Sequence, residues 1–157
     1  MKTLLGLSIL ALGLVFEQSA SAQTIALPNV QRVDYIDYGT YANLFDDDLP
    51  VVINGVNYYV SIGAHLMPDM TLYTPYSSIQ FWNQATGATV NIPLTGTISS
   101  YENDMNAQPV IQGSFSGAYS GSFTLNLLPY HPTNVGRWRY LVYWEQVNST
   151  LTLTQSP

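Results

Sequence analysis

The chain has no cysteine, and only four of its 157 residues are lysine or arginine. Without cysteine there is no disulfide framework, no thiolate ligand or nucleophile, and no lipidated lipoprotein cysteine. The few cations stand against ten carboxylates, for a formal net charge of −6. That sign repels phosphate and argues against nucleic acid and anionic membrane surfaces as partners. No apolar run reaches the roughly 20 residues of a membrane-spanning helix. Only 9% of the residues are charged, yet tyrosine alone occurs twelve times, which is not the composition of a disordered chain.

The longest apolar run, Leu4 to Phe16, follows Lys2 and precedes Ala20-Ser21-Ala22. One basic residue, a short apolar core and an Ala-x-Ala end predict a cleaved signal peptide over residues 1–22. The protein is then secreted or periplasmic. About 135 residues remain, 23–157, enough for one core and hardly for two. With no linker or internal repeat, they read as a single domain.

The stretch from Ile111 to Leu127 sets the fold class. Ile111, Phe115, Tyr119, Phe123, Leu125 and Leu127 alternate with Ser114, Ser116, Ser120, Ser122, Thr124 and Asn126. Period two is the pattern of a half-buried strand, so Phe115, Phe123 and Leu125 are expected to face a core. Gly113, Gly117 and Gly121 share the apolar parity and bend the strand or turn it back as a hairpin. Asn54-Gly55, between Val51-Val52-Ile53 and Val56-Asn57-Tyr58, predicts a two-residue hairpin turn with positive φ at both positions. Ser77 to Trp82 and Thr89 to Leu94 read as a second hairpin, Arg137 to Val147 as an aromatic strand, and Thr150 to Thr154 as a strand that closes the sheet. Residues 45–50, 63–75, 102–109 and 129–136 read as loops. The expectation is an all-β single antiparallel sandwich, immunoglobulin-like or jelly-roll-like. An outer-membrane barrel would instead need its apolar parity outward.

Four groups of residues carry candidate chemistry. His65, Met67 and Met70 offer imidazole and thioether, a set that suits Cu(I). The run Gly63-Ala64-His65-Leu66-Met67 resembles the His-x-Met element of periplasmic copper chaperones, which are also small cysteine-free β-sandwiches. That resemblance implies a copper site. The family's second His/Met element, upstream, has no counterpart here, and only Met105 and His131 are left to complete a set. Asp46-Asp47-Asp48, with Glu102 and Asp104, brings oxygens suited to calcium, but without the alternate spacing and glycine turn of a calcium loop. The acidic run reads as a solvated loop.

Trp138, Tyr140 and Trp144 share one parity of the late aromatic strand, and flat rings on a sheet face stack on sugars, so they are the expected ligand-binding residues for a carbohydrate. Catalysis would need Ser or Thr with His65 or His131, and no Gly-x-Ser-x-Gly elbow occurs. The sequence therefore reads as an exported binding or structural protein, not an enzyme. Its partner is a carbohydrate or a protein surface, and copper handling is the chemical alternative.

Overall fold

The structure, a computed structural model, describes residues 22–38, 40–99, 108–134 and 140–154; for residues 31, 32, 35, 37, 129–134 and 140–144 it describes the backbone alone. Apart from Ala22, the expected signal peptide lies outside these residues. Ten strands are described: β1 (Ala22–Ala26), β2 (Val30–Asp37), β3 (Ala42–Ile53), β4 (Val56–Leu66), β5 (Ser78–Asn83), β6 (Thr89–Ile98), β7 (Val110–Phe115), β8 (Ser120–Asn134), β9 (Tyr140–Gln146) and β10 (Thr150–Thr154). The only helical turn among the described residues is a 3₁₀ turn at Thr74–Tyr76. No helix in them is long and apolar enough to cross a membrane.

The protein is all-β, and every strand pairing is antiparallel. The strands form one curled sheet in the order β1-β10-β8-β7-β6-β5-β4-β3-β2-β9, and a further β8–β9 pairing brings its far end back onto β8. Two long strands make the corners. β8 pairs with β10 through Ser120 to Thr124 and with β9 through Leu127 to Asn134. β6 pairs with β5 up to Pro93 and with β7 from Leu94 onward.

Alternation puts one apolar face inside this curl. Ala42, Leu44, Val60, Ile62, Leu66, Ile79, Phe81, Ile92, Leu94, Ile111, Phe115, Phe123, Leu125, Leu127, Leu151 and Leu153 form a single buried cluster. Each large aliphatic or Phe side chain there stabilises the fold by about 1.5–3 kcal/mol. Phe115, Phe123 and Leu125 face inward as their alternation predicts. Gly113 stands opposite Phe123, and Gly121 opposite Phe115. A side chain at Gly113 would strike the Phe123 ring; one at Gly121 would strike the Thr152 carbonyl and crowd the Phe115 ring. These two glycines let the rings lie over the strand opposite. The turn itself falls at residues 116–119, between β7 and β8. The outward positions are Ser, Thr, Asn and Gln for the most part, opposite to the polarity that lipid requires.

The Asn54-Gly55 turn is as expected, with φ of 51° and 79° and Ile53 opposite Val56. Three loop readings need correction. Residues 45–50 lie inside β3, β4 extends to Leu66, and residues 129–134 belong to β8. In β3 the buried parity runs Ala42, Leu44, Asp46 and resumes at Leu49, Val51, Ile53. A bulge between Asp46 and Leu49 absorbs the slip, with Asp48 at φ 58° and its N–H donating to Ser61 Oγ at 3.1 Å. The acidic run is thus a strand irregularity that keeps the apolar set inward on both sides.

Candidate aromatic binding cleft

The outward face of β3, β4 and β5 is where the hydroxyl-rich surface gives way to rings. His65 is outward on β4, opposite Asn43 on β3. Tyr41 precedes β3, and its ring stacks on the His65 imidazole at 4.3 Å between centroids and 20° between planes. Tyr38 stacks on Tyr41 in turn, at 4.8 Å. Tyr73 and Tyr76 also approach the imidazole, tilted, at 5.7 and 5.5 Å.

The segment carrying the last two rings is fixed by local bonds. Buried Leu72 anchors it, and Leu66 forms an isolated bridge to Leu72. The Ser77 hydroxyl accepts from the His65 backbone N–H at 2.9 Å and donates to the Tyr73 carbonyl at 3.0 Å, while the Tyr73 N–H donates to the His65 carbonyl at 2.8 Å. Pro75 pre-sets the 3₁₀ turn that follows. Tyr76 leaves that turn 72% exposed.

Tyr41, Asn43, Phe45, Ala64, His65 and Tyr76 line an open cleft of about 470 Å³. Burial lowers the His65 pKa, because desolvation penalises the imidazolium. The imidazole is therefore neutral at pH 7 and serves as one more flat ring among tyrosines. The cleft has polar edges at Asn43 and His65 and an apolar wall at Phe45, and among the described residues no cation lines it.

No protein-family model, no curated protein and no solved structure matches this chain.

The expected site residues fall in different places. Met67 and Met70 sit in their own turn, where the Met70 N–H donates to the Met67 carbonyl at 3.0 Å and Met70 takes φ of 68°. Asp69 and Thr71 close that turn through a 2.6 Å hydrogen bond. No group of three His, Asp or Glu residues able to hold a metal stands among the described residues. Asp46 is fully buried and neither of its carboxylate oxygens has a hydrogen-bond partner among the described residues, so the expected solvated acidic loop is corrected here too. Desolvation, and then the charge of Asp47, push its pKa up to about 7.

Trp138, Met105, Glu102 and Asp104 lie outside the described residues, as do the side chains of His131, Tyr140 and Trp144. The backbone of Tyr140 pairs with Asp37 and that of Trp144 with Val33. Sequence reading missed Tyr41, Tyr73, Tyr76 and the Tyr59–Trp82 pair as site residues. The one signal for them was the density of tyrosine at positions 38, 41, 73 and 76 on either side of the hairpin that carries His65.

Proposed function

We propose that the chain is an exported, non-catalytic binding protein that takes an uncharged sugar ring in the cleft around His65. The observation that carries this reading is the stack of Tyr41 on a neutral His65 beside an exposed Tyr76. Flat rings meet the apolar face of a sugar, and the Asn43 amide and tyrosine hydroxyls at the edges can pair its hydroxyls. His65 stacks on Tyr41 and meets Tyr73 and Tyr76, an arrangement of rings that supports binding over catalysis. The acidic net charge disfavours an anionic ligand. The corners at β6 and β8 support reading the curl as a flattened closed sheet whose halves face each other as the layers of a sandwich do. The sugar reading rests on these rings and not on Trp138, Tyr140 and Trp144. Titration of the mature protein with neutral oligosaccharides, followed by calorimetry, tests it: Tyr76→Ala should weaken binding about tenfold, the scale of one ring contact. Equal affinities would remove the cleft from the function.

A further inference from the structure

The Tyr41–His65–Tyr76 cleft is not the only ring station on this face. Tyr59 on β4 stands opposite Trp82 on β5, and their rings are parallel within 12° at 5.5 Å. Trp82 is 40% exposed. Tyr59 and His65 share the outward parity of one strand, six residues apart, which is about 20 Å at the rise of a strand.

The rows between the two stations follow from the register. Phe45, Gly63, Ser78 and Pro93 form one row, and Ser61, Gln80 and Asn91 the next. At Gly63 a built Cβ would meet only ordinary contacts, the Phe45 ring and the Ser78 carbonyl at 3.9 Å, so no side chain of its own rises between the stations. Phe45 flanks it, 42% exposed. The face thus reads ring station, glycine and hydroxyls, amides, ring station. Its charged border, Asp47 and Asp48 beside Ser61, is acidic.

We propose that the outward face of β3 to β6 is one continuous track for a linear, uncharged oligosaccharide, held at both ring stations with its hydroxyls on Ser61, Ser78, Gln80 and Asn91 between them. This rests on the sugar reading of the His65 cleft and adds that the ligand is a chain. Two linked stations raise affinity through effective concentration once the chain spans them. The acidic border and the absence of cations from these rows select a neutral chain over a uronic-acid polymer or a nucleic acid.

Calorimetric titration of the mature protein with β-1,4- and α-1,4-linked glucose oligomers, dimer against hexamer, tests the track. The hexamer of one series should bind at least about tenfold more tightly than its dimer. Trp82→Ala and Tyr59→Ala should each bring the hexamer down to the affinity of the dimer and leave the dimer unchanged, whereas Tyr76→Ala should weaken both. Equal binding of dimer and hexamer, or a hexamer indifferent to Trp82→Ala, would overturn the track and leave the cleft standing. No binding by either series would overturn the cleft and the track together. A dimer of the protein itself, seen by sedimentation and lost in Trp82→Ala, would give the face to a second copy and overturn the proposal.

Discussion

The β7–β8–β10 half of the sheet and the β3–β4–β5 half are built alike on the inside and differently on the outside. Inside, both present alternating Leu, Ile and Phe to one core. Outside, the first carries Gln112, Ser114, Ser122, Thr124, Thr150 and Thr152, and the second carries Phe45, Tyr59, His65 and Trp82. Since the inward parity already provides the core, the rings outside are not needed for folding. Large apolar groups kept half in water cost solubility and point to a binding surface. The comparison separates what holds this fold from what it does, and it can be broken at four points.

The largest effect tests the claim that the insides are equivalent. Phe123→Ala in one half and Phe81→Ala in the other should each cost about 3–5 kcal/mol, the range for removing a buried aromatic. Both side chains are almost wholly buried. Phe123→Ala also uncovers Gly113. Chemical denaturation reads both values. A cost below about 1 kcal/mol at either position would mean that half has no firm core.

Asp46 is where the insides differ, for the described residues of the other half bury no carboxylate. Its carboxyl titrates near 3.8 in the unfolded chain and about 7 in the folded one. Below the lower value it is protonated in both states and contributes nothing. Between the two values the unfolded chain has released its proton and the folded chain retains it. Stability therefore falls as pH rises through this window, by up to about 4 kcal/mol at ~1.4 kcal/mol per pH unit, and levels off above it. Asp46→Asn should remove that slope, gaining most at pH 8 and nothing at pH 3.5. Parallel stability profiles for the two proteins would show that Asp46 titrates alike in the folded and the unfolded chain.

The turns of the two halves also differ. Asn54 and Gly55 both take positive φ, whereas Gly117, in the β7–β8 turn, does not. A β-branched residue in the left-handed region is penalised by about 1–2 kcal/mol, so Gly55→Val should lower the unfolding free energy by that amount, read from chemical denaturation. Gly117→Ala should cost less than about 0.5 kcal/mol, since its new methyl would meet only Ile92 at 3.4 Å. Equal losses would show that the Asn54-Gly55 turn has no special geometry.

Alternation made the inward set of β7 and β8 legible, and Asn54-Gly55 made its hairpin legible. Composition misled at residues 45–50, where three aspartates and a proline look like a loop. The buried parity passes from even at Leu44 to odd at Leu49 across that run, and this was the readable trace of a bulge. Pro129 and Pro132 misled in the same way: Pro129 is tolerated where the β8–β9 register shifts, and Pro132 where β8 has run past its β7 and β10 pairings and pairs with β9 alone. The cleft was harder to see. His65 drew notice because Met67 is its neighbour in sequence, but its neighbours in space are Tyr41, reached through the β3–β4 register, and Tyr73 and Tyr76, reached through the Ser77 hydrogen bonds. An excursion between β4 and β5 held by Leu72, the Ser77 hydroxyl and a few backbone bonds leaves no periodic pattern to read. The Tyr59–Trp82 pair depended on the same excursion, because its length sets which residue of β5 meets Tyr59.

The smallest change in stability should accompany the clearest functional difference. Tyr76 and Ser122 are both exposed and outward, one beside the ring cleft and one on the hydroxyl face. Neither supports the core, so Tyr76→Ala and Ser122→Ala should each leave unfolding free energy within about 0.5 kcal/mol of the parent. Their effects on a neutral oligosaccharide should part. Tyr76→Ala loses a ring face worth about 1.4 kcal/mol, or tenfold in Kd, and Ser122→Ala loses nothing. Paired denaturation and calorimetric titration measure both quantities on the same samples. If Ser122→Ala weakened binding as much as Tyr76→Ala, the ligand would lie on the β7–β8–β10 face, and the outward rings of β3 to β5 would need another explanation.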